Sequence, residues 1–123
     1  MQIGIDLGGT SAKIGVVDDA YAVVARKEVP SGANIPFGEM VCALAEAIRA
    51  FPAPLLQSVE HIGIGVPSSI VRDTRVVVHA GNLNWRNVDA VGELKRHFDQ
   101  PIAIANDADC AAYGESLAGA GVV

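Results

Sequence analysis

Three short segments carry side chains suited to chemistry on an anionic or hydroxyl-bearing ligand. The first is Asp6-Leu7-Gly8-Gly9-Thr10-Ser11, followed by Lys13. With no Cβ to block the approach, Gly8 and Gly9 can bring bare backbone N–H groups against an anion. The hydroxyls of Thr10 and Ser11 and the charge of Lys13 can add to that hold. Asp6 can take Mg²⁺ directly or through water, because Mg²⁺ prefers oxygen ligands and keeps several waters. The same residues equally suit a Gly-Gly hairpin turn with a solvated aspartate and a surface lysine. A Walker loop needs two glycines five apart, the second followed by Lys and Ser or Thr; a dinucleotide fingerprint needs GxGxxG before a helix. Neither is present.

The second segment is Asn106-Asp107, which ends one apolar run and opens the next. Either residue caps a helix well. The functional alternative is a base, Asp107, facing a hydroxyl. A helix N-terminus favours the charged carboxylate and so makes it a weak base. That suits phosphoryl transfer, where positioning and charge stabilisation do most of the catalysis. The third segment, Gly81-Asn82-Leu83-Asn84-Trp85, has two side-chain amides and the only tryptophan. Each amide offers a donor and an acceptor to a polyhydroxylated ligand; a plain turn with a packed Trp85 fits as well. Ser68 and Ser69, after Pro67, can bind hydroxyls or satisfy a turn. His61, His79 and His97 lack metal-ligand spacing. Cys110 reads as a small core residue and Glu115 as a solvated helix charge.

These segments depend on the elements between them. Gln2–Leu7, Ala12–Val17 and 21–29 read as three strands of an antiparallel meander. Phe37, Met40, Val41, Leu44, Ala45 and Ile48 have the spacing of an amphipathic helix, stopped by Pro52 and Pro54. His61–Val66 reads as a buried strand, with a possible small strand at 75–78. Val88, Val91, Leu94 and Phe98 space a second helix, 101–105 is another buried strand, and 107–117 a third helix. The order β-β-β-α-β-α-β-α predicts an α/β lobe: one mixed sheet, the meander plus parallel strands, with helices on both faces. Right-handed crossovers make the Ile62 and Ile102 strands parallel to each other and to the first strand. Their carboxyl ends then share one edge, where open α/β sheets bind ligands.

Composition narrows the function further. Half of the 123 residues are hydrophobic and 19% are charged, as in a single folded domain. A net charge of −5 argues against a nucleic-acid partner and against an anionic membrane surface. Cys42 and Cys110 form no CxxC, so a reducing cytoplasm is the expected location. There is no long apolar run, and a strand is expected directly after Met1, where a leader peptide would need a basic start.

Asp6-Leu7-Gly8-Gly9-Thr10-Ser11-Ala12-Lys13 resembles the DxGGTxxK phosphate segment of the ROK (repressor, open reading frame, kinase) family, and most of all its bacterial glucokinases. Gly63-Ile64-Gly65-Val66-Pro67, Asn82-Leu83-Asn84-Trp85 and Asn106-Asp107-Ala108-Asp109-Cys110-Ala111-Ala112 with Glu115 are similar to later family segments, in the same order. The resemblance implies an actin-like, ribonuclease-H-like lobe that transfers the γ-phosphate of ATP to a hydroxyl of glucose or a related hexose. It implies phosphate contacts from Gly8, Gly9, Thr10 and Lys13, Mg²⁺ near Asp6, and Asp107 as catalytic base. It also implies sugar contacts from Asn106, Asp107, Asn82 and Ser68. Ser68 stands where the family usually has glycine, and Asp109 adds a carboxylate. Residues 1–123 correspond to the N-terminal lobe. The adenosine loops, further sugar ligands and a structural zinc are expected only in an absent C-terminal half, so this lobe alone is expected to be inactive. The rival expectation is a non-catalytic sugar-sensing or partner-binding module; a third is an ATPase acting on another small molecule. An apolar face left bare where a second lobe docks is expected to drive homo-oligomer formation.

Overall fold

The computed structural model describes residues 1–20, 22–66, 69–71, 76–80 and 85–106. β1 (Gln2–Leu7), β2 (Ser11–Val17) and β3 (Val23–Pro30) form the meander. Then follow α1 (Phe37–Arg49), α2 (Ala53–Gln57) and β4 (His61–Val66). β5 (Ser69–Val71), β6 (Val76–Ala80), β7 (Trp85–Val88), α3 (Ala90–Lys95) and β8 (Ile102–Asn106) complete the described chain. The main sheet has the order β3-β2-β1-β4-β8. β1 is antiparallel to β2 and parallel to β4, which is in turn parallel to β8.

Period-two alternation gives this sheet two unlike faces. Register aligns Ile3, Ile5 and Leu7 with Val16, Ile14 and Ala12 on one side. Ile3 and Ile5 align with Ile62 and Ile64 on the other, and these with Ile102 and Ile104. All lie on one face, and α1 buries Met40, Val41, Leu44 and Ile48 against them. Ala90, Val91 and Leu94 of α3 join the same cluster, with Leu55 and Leu56 of α2 at its margin. The opposite face carries small residues alongside Asp6 and Lys13. Gly15, Gly4, Gly63 and Ala103 stand in one row across four strands. The described helices therefore cover one face; the helix expected over 107–117, the candidate for the other, lies outside the described residues.

A Cβ built on Gly63 meets nothing within 4 Å, whereas one on Gly8 lies 3.0 Å from the Ser11 carbonyl oxygen. Gly63→Ala is accordingly expected to stabilise by about 0.4–1 kcal/mol through reduced unfolded-chain entropy. Gly8→Ala is expected to destabilise, because backbone must move. Urea titration of both variants checks the opposite signs.

α1 ends at Arg49, ahead of Pro52 and Pro54 as expected; Pro54 then lies in the first turn of the separate short helix α2, where a missing N–H costs nothing. The segment from Ser69 to Val88 is not a loop with one minor strand but a three-stranded antiparallel sheet, β5-β6-β7. Its strands are too short for periodicity to reveal. Among the described residues the exposed large apolar side chain is Val24. The other face of the sheet carries Gly4, Gly15, Gly63 and Ala103, of which Gly4 and Gly15 are buried.

Trp85 anchors the small sheet to the core. It is 2% exposed, and its ring meets Phe37 edge-on with centroids 5.0 Å apart. Among the described residues its buried Nε1 has no hydrogen-bond partner. Asp89 caps α3, its carboxylate accepting the Gly92 N–H at 2.8 Å.

Candidate functional site

The β1–β2 connection holds the glycine segment. Asp6 and Lys13 are direct cross-strand partners, so both side chains stand on the face away from the helices. Lys13 is exposed and Asp6 half-buried. Gly8 N–H donates to the Ser11 carbonyl at 2.9 Å and closes the turn. Neither Gly8 nor Gly9 uses left-handed backbone; Gly32 does, at φ 142°. The primed hairpin turn that a Gly-Gly pair suggests is thus not formed, since that turn needs positive φ. Gly8 is required by close approach instead.

The loop after β3 closes on this turn from one side. Ser31 N–H donates to the Thr10 carbonyl at 3.1 Å, and Ser31 Oγ donates to the Gly8 carbonyl. A Cβ on Gly32 would stand 3.1 Å from the Gly9 carbonyl oxygen. Three successive carbonyls therefore face Ser31 and Gly32. In a trans peptide the following N–H points the other way. The N–H groups of Gly9 and Thr10 are turned away from that loop, and no described residue accepts them. Reading the sequence missed Ser31 and Gly32; their only local signal is turn composition after Pro30.

The parallel strands bring the other segment to the same rim. Asp6 pairs with Gly65, and one residue further on Val66 pairs with Asn106. Asn106 thus ends two strands from β1, about 10 Å away at the usual strand spacing. Gly8, Pro67 and Asp107 are the next residues after three strands that end together. Asp6, Gly8, Gly9, Thr10 and Lys13 share one hairpin, and the Asn106 backbone lies across the rim from it. Ser68, Asn82 and Asp107 lie outside the described residues.

Among the described residues no group of three His, Cys, Asp or Glu side chains could hold a metal ion. Asp6 is a single carboxylate, which suits Mg²⁺, an ion that commonly takes one protein carboxylate and completes its shell with water and phosphate oxygens. The histidines whose side chains are described fit structural roles: His61 Nε2 pairs with Gln2 Oε1, and His97 Nδ1 lies 3.0 Å from Arg49 Nη2. Cys42 is a free, exposed thiol on α1. A shallow concavity lined by Met1, Gln2, Asp18, Asp19, Glu60 and His61 lies at the opposite edge of the sheet, remote from the hairpin. No described helix is long and apolar enough to cross a membrane.

This strand order, with its meander, parallel crossovers and convergent rim, is the actin-like, ribonuclease-H-like lobe found in ROK sugar kinases. Residues 2–122 match the ROK family, and the chain belongs to it. It is 30% identical over 122 residues to a glucokinase of Halalkalibacterium halodurans, covering 97% of this chain and 37% of that protein. It superposes on a ROK family glucokinase from Streptomyces griseus, solved in complex with glucose and AMPPNP, with a TM-score of 0.71 and 30% identity. That match covers 98% of this chain and 37% of the other. The xylose repressor of Bacillus subtilis is 39% identical over 59 residues, 48% of this chain and 15% of the repressor. The chain therefore spans little more than a third of the length of the glucokinases it matches.

Proposed function

We propose that residues 1–123 are the N-terminal lobe of an ATP-dependent sugar kinase of glucokinase type, carrying the phosphate hairpin and the catalytic base. The supporting observation is the shared register of β1, β4 and β8, which brings the start of the DxGGTxxK hairpin and the backbone of Asn106, the residue before Asp107, to one rim.

In this reading the N–H groups of Gly9 and Thr10 hold phosphate oxygens of the nucleotide, and Lys13 adds a point charge. Asp6 holds Mg²⁺, which neutralises phosphate charge when bound. Asn106, Asn82 and Ser68 orient a hexose, glucose or a close relative. Asp107 accepts the proton of the attacking hydroxyl and holds it in line with the γ-phosphate. A second lobe closes on sugar and nucleotide from the other side and excludes water.

Phosphorylation of glucose by ATP tests the reading. A two-lobed protein carrying this lobe turns over; the 123-residue chain alone does not, and robust turnover by the chain alone contradicts the two-lobed mechanism. Lys13→Ala is expected to weaken binding of tripolyphosphate to the chain by about tenfold, the loss of one charge-assisted contact. Calorimetric titration reads this directly, and unchanged affinity removes Lys13 from the site.

The match to xylose repressors supports a second reading, a sugar-sensing module without catalysis. Sugar binding indifferent to Mg²⁺-ATP, with function intact in Asp107→Asn, selects it.

A further inference from the structure

We propose that Ser31 is a positioning residue that aims the backbone N–H groups of the phosphate hairpin; this rests on the phosphate-binding role of Gly9 and Thr10 proposed above. Ser31 belongs to no recognisable motif and follows the last residue of β3. It nevertheless ties both limbs of the β1–β2 turn. Its N–H continues the β2–β3 ladder by one rung onto the Thr10 carbonyl, and its hydroxyl reaches across to the carbonyl of Gly8 on the β1 side. Gly32 seats against the Gly9 carbonyl between them, in a backbone conformation that L side chains rarely adopt.

The physical consequence is preorganisation. A turn built on two glycines has many accessible conformations, and an anion would have to freeze them on binding. Each peptide plane needs only one end held. With the Gly8 and Thr10 carbonyls bonded to Ser31 and the Gly9 carbonyl packed on Gly32, the planes cannot rotate independently. The N–H groups of Gly9 and Thr10 then point outward before any ligand arrives. Ser31 touches no ligand in this arrangement; it acts through the turn.

The test uses the isotopically labelled chain, with sodium tripolyphosphate as the probe and the Gly9 and Thr10 amide resonances as the readout. In the wild type both resonances are expected to shift on titration. Ser31→Ala is expected to weaken the probe about five- to tenfold, the net effect of one hydrogen bond. It should also lower the backbone order parameters of Gly9 and Thr10 in the free protein while leaving those of Ile5 and Ile14 unchanged. Ser31→Thr keeps the donor and is expected to restore affinity to within about twofold. If Ser31→Ala does not fold, the comparison of Ser31→Val with Ser31→Thr isolates the hydroxyl at nearly constant shape. Equal affinity in the Val and Thr variants, or in Ala and wild type, overturns the positioning role while leaving the phosphate site intact. A wild type whose Gly9 and Thr10 resonances ignore the probe overturns the phosphate reading, and this inference with it.

Discussion

Replacing Asp107 by Asn is expected to lower kcat for sugar phosphorylation by about 10²- to 10⁴-fold, the usual contribution of a positioned general base. The substitution keeps size and hydrogen-bonding capacity and removes only the ability to take a proton. Sugar binding should therefore persist, with KM for the sugar changed far less than kcat. The prediction rests on the role proposed for Asp107, the residue after Asn106. Asn106 is paired to Val66 at the carboxyl end of β4, and β4 runs parallel to β1, which leads into Gly8. The assay is steady-state kinetics on the two-lobed protein, with sugar affinity measured separately by calorimetry. Retained turnover removes Asp107 from the chemistry; sugar binding without any turnover in the unsubstituted protein favours the sensing module.

Trp85→Ala should produce the largest loss of stability, about 3–5 kcal/mol, as expected when a large aromatic is truncated in a packed core. That is a large share of the 5–15 kcal/mol that typically separates folded from unfolded states. The residue is 2% exposed, sits edge-on to Phe37 and joins β7 to the main cluster. Trp85→Phe is expected to be far milder. It gives up ring area but removes Nε1, a buried donor without a partner among the described residues, whose desolvation costs about 1–3 kcal/mol. Denaturant unfolding of both variants separates the two contributions. A Phe variant as damaged as the Ala variant means that Nε1 is bonded in solution. Because Trp85 directly follows the 81–84 segment, Trp85→Ala should also weaken sugar binding in the two-lobed protein if Asn82 contacts the sugar.

The two effects separate chemistry from scaffold. The role proposed for Asp107 depends on the direction of β8, which precedes it, and Trp85 joins β7 to core residues distant in the chain. The hairpin combines both. Gly9 and Thr10 supply the N–H groups, while Ser31 and Gly32, more than twenty residues later, decide which way those groups point.

Much of the fold could be read from local pattern. Alternation marked β1 and β4 at their observed bounds, and the 3.6-residue spacing marked α1, because burial on one face imposes those periods directly on residue type. Chain order with right-handed crossovers was enough to gather the ends of β1, β4 and β8 at one rim, and the DxGGTxxK residues were visible as a local string. The three-stranded second sheet was not legible, since strands of three to five residues offer too few turns of the alternation. Nor was the unprimed geometry of the Gly8-Gly9 turn, because glycine permits several conformations and only its neighbours choose among them. Ser31 went unseen for the same reason. A serine after a strand is ordinary in sequence, and its meaning comes from a hydrogen bond to a residue twenty-three positions away. Composition and periodicity report what a segment buries; which carbonyl a hydroxyl meets is decided only when distant strands set their register.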